Sequence, residues 1–403
     1  MNAREPLDAA AGKGADGHDD GRYDDAGFVA ALAGLEGMGP VRLRRLLASR
    51  PPESLWRGLA DRSERVVALQ VAPAALVDSW CASAAGSPEV PAAMGSRLRS
   101  LGVEVLRGSV LPQRLRADLD PPGALFVAGS PLTPEAASAV AVVGTRRASD
   151  YGLRVARSLG SELASAGVSV VSGLATGIDA AAHAGALAAE VGAAGHVAVI
   201  GAGHDRPCPV RNRALARAIS GRGSVIGEVP PGVASAPWRY PVRNRLIAAL
   251  ADVVVVVESG SAGGSMSTVS EALARDRVVM AVPGPVGRRS SEGCHDLIRD
   301  GAGICTAASD VIEALGLLGR PPRAPSAPTS LVGPATLRPS AHGHDVLEAL
   351  AEEPLAIESL ASRTSMSLGE LSEVLCELGS AGLVTCGAGW VRRTGANRHH
   401  PQW

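Results

Sequence analysis

Four stretches of glycine and hydroxyl residues could grip an anion. They are Gly144-Thr145-Arg146-Arg147, Ser172-Gly173-Leu174-Ala175-Thr176-Gly177, Gly201-Ala202-Gly203 and Ser259–Ser265 (SGSAGGS). Each follows a short apolar run, and each alone is ordinary, because glycine is common where a strand turns into a helix. Four such turns at one end of one sheet would instead form a continuous surface of backbone N–H donors beside helix amino ends. Arg146, Arg147, Arg211, Arg213, Arg239, Arg243 and Arg245 stand around them, and the segment Trp238-Arg239-Tyr240-Pro241-Val242-Arg243-Asn244-Arg245 interleaves two aromatics with three arginines. Aromatic rings stack on bases while guanidinium groups hold the phosphates between them, the combination expected of a single-strand groove. The same residue types equally suit aromatic loop anchors with arginines that are solvated or paired with Glu228 and Glu258.

Other chemistries are poorly served. Only one glycine precedes Thr145-Arg146, so the dinucleotide fingerprint is missing, and the only lysine is Lys13, in a polar tail. A phosphate-loop lysine, a Schiff-base lysine and a lysine general base are thereby excluded. Ser172 does not sit in a nucleophile elbow. Asp179 and His183 fall four apart on one helix face and could pair, yet a first-turn Asp is explained by the helix dipole. His183, His196, His204 and His295 lack zinc-site spacing, and the six cysteines (Cys81, Cys208, Cys294, Cys305, Cys376, Cys386) form no C-x-x-C pair. No catalytic residue, cofactor or metal is expected.

The elements that must position these residues alternate. Ala139–Val143 reads as a strand, Tyr151–Ala166 as an amphipathic helix, Val168–Val171 as a second strand, and Gly177-Ile178-Asp179 opens a further helix. Strand candidates continue at Val103–Leu106, Ala124–Ala128, His196–Ile200, Ser224–Ile226, Val253–Val257, Val278–Val282 and Gly303–Cys305. Helical segments separate the later ones at Asn212–Ile219, Val242–Leu250, Met266–Arg275 and Cys294–Asp300. The alternation predicts an α/β fold: a Rossmann-like, mostly parallel sheet over residues 110–319, covered on both faces. Residues 1–25 read as a disordered tail and 26–109 as a helical domain, with helices at Phe28–Leu32, Val41–Leu47 and Val66–Trp80. Gly34–Pro40 resembles a helix-hairpin-helix turn able to hold a phosphate; a plain helix–helix turn with Pro40 at the first helical position explains it slightly better. Residues 320–341 form a proline-rich linker, 342–394 a winged-helix module of three helices and a two-stranded wing, and 395–403 a tail. The third helix of that module carries Glu370, Glu373 and Glu377 without Lys or Arg, which favours a protein-contact or spacing role over DNA reading.

With a formal net charge of −1 over 403 residues, any nucleic-acid site must be local. The amino terminus lacks a signal-peptide core and Val253–Val257 is too short to span a bilayer, so a cytoplasmic protein with no membrane partner is expected.

Taken together, AVVGTRRAS (Ala141–Ser149), VSGLATGIDAAAHAGAL (Val171–Leu187), the Tyr240-Pro241-x-Arg-Asn-Arg segment, the valines ending in Glu258, Pro283-Gly284 and GCHDLIRDGA (Gly293–Ala302) resemble the bacterial DNA-processing protein A family (DprA, also called Smf). The resemblance is dense from Ala124 to Ala302. It implies a non-enzymatic, dimeric binder of single-stranded DNA that protects incoming strands during natural transformation and loads the recombinase RecA onto them. It also implies a DNA-binding set of Gly144, Thr145, Arg146, Arg147, Ser172, Gly173, Gly177, Tyr240, Arg243, Asn244, Arg245, Gly264 and Ser265. Within that set Arg146 contacts phosphate, Ser172, Gly173 and Gly177 form a cradle, and Arg243 with Arg245 lines the groove. The chain departs from the family pattern at Cys208, Tyr240, His295 and Val269. The competing reading is a Rossmann-like hydrolase of nucleoside monophosphates, in which Glu258 or Glu271 supplies the carboxylate; the linker, the winged helix and the lack of a second positioned acid favour binding.

Overall fold

A computed structural model describes residues 20–130, 138–189, 195–206, 209–320, 340–350, 355–380, 383–387 and 390–393. The chain divides into two units, residues 1–327 and 328–403.

The first unit opens with helices α1 (Asp20–Ala33), α2 (Pro40–Ser49), α3 (Pro52–Ala60), α4 (Arg65–Leu69), α5 (Ala74–Gly86) and α6 (Val90–Leu101). Helix α1 begins inside the stretch read as a tail; Asp25 is paired with Arg107, which anchors it, while residues 1–19 lie outside the described ones. The single helix expected over Val66–Trp80 is broken into α4 and α5 at Pro73, which lacks an amide donor and takes extended backbone angles. These helices enclose their own core around Leu32, Leu46, Leu55, Leu59 and Trp80. The Trp80 indole N–H donates to the Glu36 carbonyl at 2.7 Å and so pins the turn between α1 and α2.

There follow β1 (Val103–Leu106), α7 (Gln113–Arg116), β2 (Leu125–Gly129), β3 (Ala139–Val143), α8 (Asp150–Ser165), β4 (Ser169–Ser172), α9 (Ile178–Ala188), β5 (Val197–Ile200) and α10 (Arg213–Arg222). The unit closes with β6 (Ser224–Gly227), α11 (Arg239–Leu250), β7 (Val253–Val256), α12 (Ser265–Leu273), β8 (Val278–Ala281), α13 (Arg289–Arg299), β9 (Gly303–Ile304) and α14 (Ala308–Leu317). The nine strands form one sheet in the order β1-β2-β6-β5-β4-β3-β7-β8-β9. The run from β6 to β9 is parallel, and β2 and β1 are added antiparallel at one edge. The chain winds outward from β3 to β6 and then returns to the other side of β3 with β7. That reversal is the point where open α/β sheets bind ligands.

Strands β3 and β7 are apolar at every position because both faces are covered. Side chains alternate between two cores: Ala141, Val143, Val254 and Val256 pack under α11, α12 and α13, while Val140, Val142, Val253 and Val255 pack under α8, α9 and α14. Each buried valine contributes about 1.5–3 kcal/mol of apolar transfer, which is what an alanine- and valine-rich chain has in place of aromatic bulk. Helices α8 and α9 touch through glycine. A Cβ at Gly160 would overlap the Ala182 carbonyl oxygen, and one at Gly185 the Arg157 carbonyl oxygen. Backbone cannot rotate aside, so Gly160→Ala is expected to lower stability by about 1–3 kcal/mol, read as a lower urea midpoint at unchanged slope.

The second unit contains α15 (Ala341–Ala349), β10 (Leu355–Ala356), α16 (Ile357–Thr364), α17 (Leu368–Ser380), β11 (Val384–Gly387) and β12 (Trp390–Arg393). Its sheet has three strands, β10-β12-β11, rather than the expected two. The added strand, β10, is two residues long, too short to show alternation. Residues 321–339 of the expected linker and 395–403 of the expected tail lie outside the described residues. Among the described residues no helix is long and apolar enough to cross a membrane.

Candidate functional site

The turn after β3 is stitched to its neighbours before any side chain leaves it. The Thr145 N–H donates to the Glu258 carbonyl at 2.7 Å, and the Ile178 N–H to the Thr145 carbonyl at 3.3 Å. The Thr176 hydroxyl donates to the Arg146 carbonyl at 3.2 Å. Gly177, at φ 81°, lets the second turn run against the first; a Cβ there would overlap the Thr145 carbonyl oxygen. Glu258, at the end of β7, accepts from the Ser149 N–H (2.8 Å) and hydroxyl (2.7 Å), and Ser149 in turn caps α8 through the Gly152 N–H. The carboxyl edges of β3, β4 and β7 are thus held as one rigid rim.

A cavity of about 610 Å³ opens at this rim. The β3 turn supplies Gly144, Thr145, Arg146 and Arg147; α11 supplies Tyr240, Arg243 and Asn244; the turn into α12 supplies Gly263, Gly264, Ser265, Ser267 and Thr268. Arg146 and Arg147 are exposed, and the Arg146 guanidinium lies over the Tyr240 ring, 4.7 Å from its centroid. A cation stacked on an aromatic ring is pre-oriented for a phosphate. The Asn244 amide donates to the Ser267 hydroxyl at 2.7 Å, fixing α11 against α12. Helix α12 starts in the cavity wall, so its first-turn N–H groups, which have no intrahelical acceptors, add to the positive field.

Three guanidinium groups (Arg146, Arg147, Arg243) face one carboxylate in the wall, Asp179. Burial pushes the Asp179 pKa up against the pull of Arg243, so the wall is at least as positive as that tally. Sequence reasoning gave Asp179 a dipole role or a pairing with His183, and no place in the wall. Its placement after Gly177 on the α9 amino end was the available signal, since that turn faces the same crevice.

Nine of the thirteen expected site residues come together here: Gly144, Thr145, Arg146, Arg147, Tyr240, Arg243, Asn244, Gly264 and Ser265. Four do not, and each has a structural occupation. Ser172 is fully buried and its hydroxyl donates to the Val142 carbonyl at 2.6 Å, tying β4 to β3. Gly173 is small so that the Arg243 guanidinium can lie against it; a Cβ would collide with that group. Gly177 serves the turn crossing described above. Arg245 is 5 % exposed and points away from the cavity, bonded to Glu228 at 2.6 Å and to the Asp120 carbonyl at 2.6 Å. Arg243 itself is 6 % exposed and donates to the Gly173 carbonyl at 2.6 Å and to the Val199 carbonyl. Burial lowers its pKa to about 10, still charged at neutral pH, so it acts as a fixed cation in the floor rather than a mobile groove residue.

Outside the cavity wall, Arg211 and Arg213 are exposed beside α10, and Asn212 between them donates to the Leu174 and Ala175 carbonyls. Arg239 stacks on Trp238 instead, 5.0 Å from the ring centroid. Neither carboxylate of the hydrolase reading reaches the cavity: Glu258 is occupied by Ser149 and Ser290, and Glu271 accepts from Arg275. No hydrogen bond joins Asp179 to His183, whose ring burial lowers its pKa to about 3 and keeps it neutral. His295 meets the Gly284 carbonyl at 3.0 Å, Val269 is packed in the core, and Cys208 lies outside the described residues.

The family model described as DNA recombination-mediator protein A matches residues 105–316, and that of the DprA winged helix domain matches 321–389. A DprA-named protein of Mycobacterium tuberculosis (strain H37Rv) is 42 % identical over 267 residues, 64 % of this chain and 66 % of the relative. The chain therefore spans just under two thirds of that relative's length. Protein Smf of Escherichia coli (strain K12) is 36 % identical over 284 residues, 70 % of this chain and 74 % of the relative. The X-ray structure of DNA processing protein A from Streptococcus pneumoniae superposes with a TM-score of 0.56 at 26 % identity, covering 72 % of this chain and 97 % of that one.

Proposed function

The chain belongs to the DNA recombination-mediator protein A family, and we propose that its cavity binds single-stranded DNA, shields the strand and passes it to the recombinase RecA. The observation that carries this reading is the Arg146–Tyr240 pair, a cation stacked on an aromatic ring inside a wall with more guanidinium than carboxylate. Phosphate is held by charge and a base by stacking, neither of which reads sequence, so binding is general for unpaired strands. In this reading the protein acts in the cytoplasm as a homodimer, and it holds DNA without cleaving it. The occupied state of Glu258 and Glu271 supports binding over hydrolysis. In the second unit, Glu370 accepts from Ser367 at the start of α17 and Glu377 from Ser340. That helix presents acids to its own start and to the cap of α15 and no base to a phosphate, which supports a protein contact for the winged helix.

Two measurements on the full chain test the proposal. Salt-titrated binding to matched single- and double-stranded oligonucleotides is expected to favour the single strand, with log K falling by about 0.7 per phosphate neutralised for each tenfold rise in salt. Nucleation of RecA on the bound strand, followed by its strand-dependent ATPase, is expected to accelerate. Salt-indifferent binding, or release of free base from nucleoside monophosphates, refutes the reading.

A further inference from the structure

The side chain immediately outside the cavity is unusual for where it sits. Trp238 is 50 % exposed, whereas Trp56, Trp80 and Phe126 are buried. It stands at the amino cap of α11, between two residues of the cavity wall, Pro237 and Tyr240. One face is covered: the Arg239 guanidinium lies 5.0 Å from the ring centroid. On its inner side the indole borders a cavity of about 30 Å³ shared with Met38, Gly39 and Pro40, room for a water or two and not for a base.

From this the geometry points to Trp238 as a second base-stacking platform, taking the nucleotide next to the one held by Arg146 and Tyr240. This inference rests on the single-strand reading above and deepens it. Residues two apart on a helix face different sides, so Tyr240 looks into the cavity and Trp238 onto the opposite shoulder of α11. Their Cα atoms lie within about 7.6 Å, two peptide spans, which is on the scale of one or two nucleotide steps of about 3.4 Å. A strand leaving the cavity over the amino end of α11 meets the indole next. The phosphate between the two bases crosses a helix amino terminus that has no acidic residue in its first turn and carries Arg239 there. The Arg239 stack holds the ring in place, so little side-chain freedom is lost when a base arrives. The platform makes the site selective for a polynucleotide over a mononucleotide without adding sequence preference.

The test compares full-length wild type, Trp238→Ala, Trp238→Phe and Arg146→Ala for binding of a twelve-residue oligothymidylate and of thymidine monophosphate. Trp238→Ala is expected to weaken the oligonucleotide by roughly 5- to 100-fold and leave the mononucleotide unchanged, with Trp238→Phe recovering most of the loss. Wild-type indole fluorescence is expected to be quenched by the oligonucleotide, and that quenching to vanish in Trp238→Phe. If Trp238→Ala binds the oligonucleotide like wild type while Arg146→Ala does not, the platform is wrong and the cavity reading stands. If both ligands weaken equally in Trp238→Ala, the indole props the helix and does not stack. If wild type binds neither ligand, the cavity reading itself falls, and the platform with it.

Discussion

Replacing Arg146 by alanine is expected to weaken single-stranded DNA binding by roughly 10- to 150-fold, the loss of about 1.5–3 kcal/mol for one charge-assisted hydrogen bond. The guanidinium is exposed, lies in the cavity wall and stacks on Tyr240, so nothing in the fold depends on it while the ligand does. The salt dependence is expected to flatten by about 0.7 in log–log slope, the signature of one lost phosphate contact. Tyr240→Ala removes a base stack worth about 1–3 kcal/mol. Because the two side chains touch, their losses should not add: a double-mutant cycle is expected to return a coupling of at least about 0.5 kcal/mol. Arg211→Ala, exposed but outside the wall, is the matched control and should change affinity little. An Arg146→Ala protein with wild-type affinity and slope would remove the phosphate contact on which the functional reading rests.

Sheet and rim were readable in the sequence because the physics that forms them is local. Strands buried on both faces need unbroken valine, and β3 and β7 supply it at every position. The turns that follow need small residues to let backbone approach backbone, and Gly144 and Gly263–Ser265 stand in the cavity wall. The pattern of arginines in α11 was misread, although the rule against it is simple. Arg243 and Arg245 are two residues apart on one helix, so they cannot share a face; one reaches the cavity floor and the other the Glu228 side. Burial was the second illegible quantity. A serine at the end of a strand reads the same whether its hydroxyl faces a ligand or, as for Ser172, a neighbouring carbonyl. The break at Pro73 was visible as a proline, whereas the anchoring of α1 through Asp25 and Arg107 depends on a contact across 82 residues that no local pattern encodes.

Because Arg245 is structural, its replacement by alanine is expected to act on stability. Its guanidinium bonds to Glu228 at 2.6 Å and approaches Asp120 at 3.2 Å, and Asp120 is also bound by Arg44 of α2 at 2.6 Å. The cluster therefore ties the amino-terminal helices to the end of β6. Both Arg245 and Glu228 side chains are 6 % exposed, and removing one partner of a buried pair leaves the other uncompensated, at a cost of about 3–5 kcal/mol. A thermal midpoint roughly 10 °C lower is the expected reading. The pH dependence carries the sign. Burial raises the Glu228 pKa from 4.5 to about 7 despite Arg245, so the folded state holds this proton more tightly than the unfolded chain. The stabilisation is complete below pH 4.5 and is lost as pH rises through about 7, a span worth about 3 kcal/mol. Glu228→Gln should lose that slope, so that the difference between wild type and variant carries the whole of it. Arg245→Ala should carry the loss on to higher pH, because the buried carboxyl ionises later with no cation beside it. Folded Arg245→Ala protein at low pH is expected to bind single-stranded DNA like wild type, since the guanidinium does not face the cavity. Stability that is flat across this pH window in both wild type and Arg245→Ala would mean that Glu228 is solvated, and the cluster would no longer account for how the helices are held to the sheet.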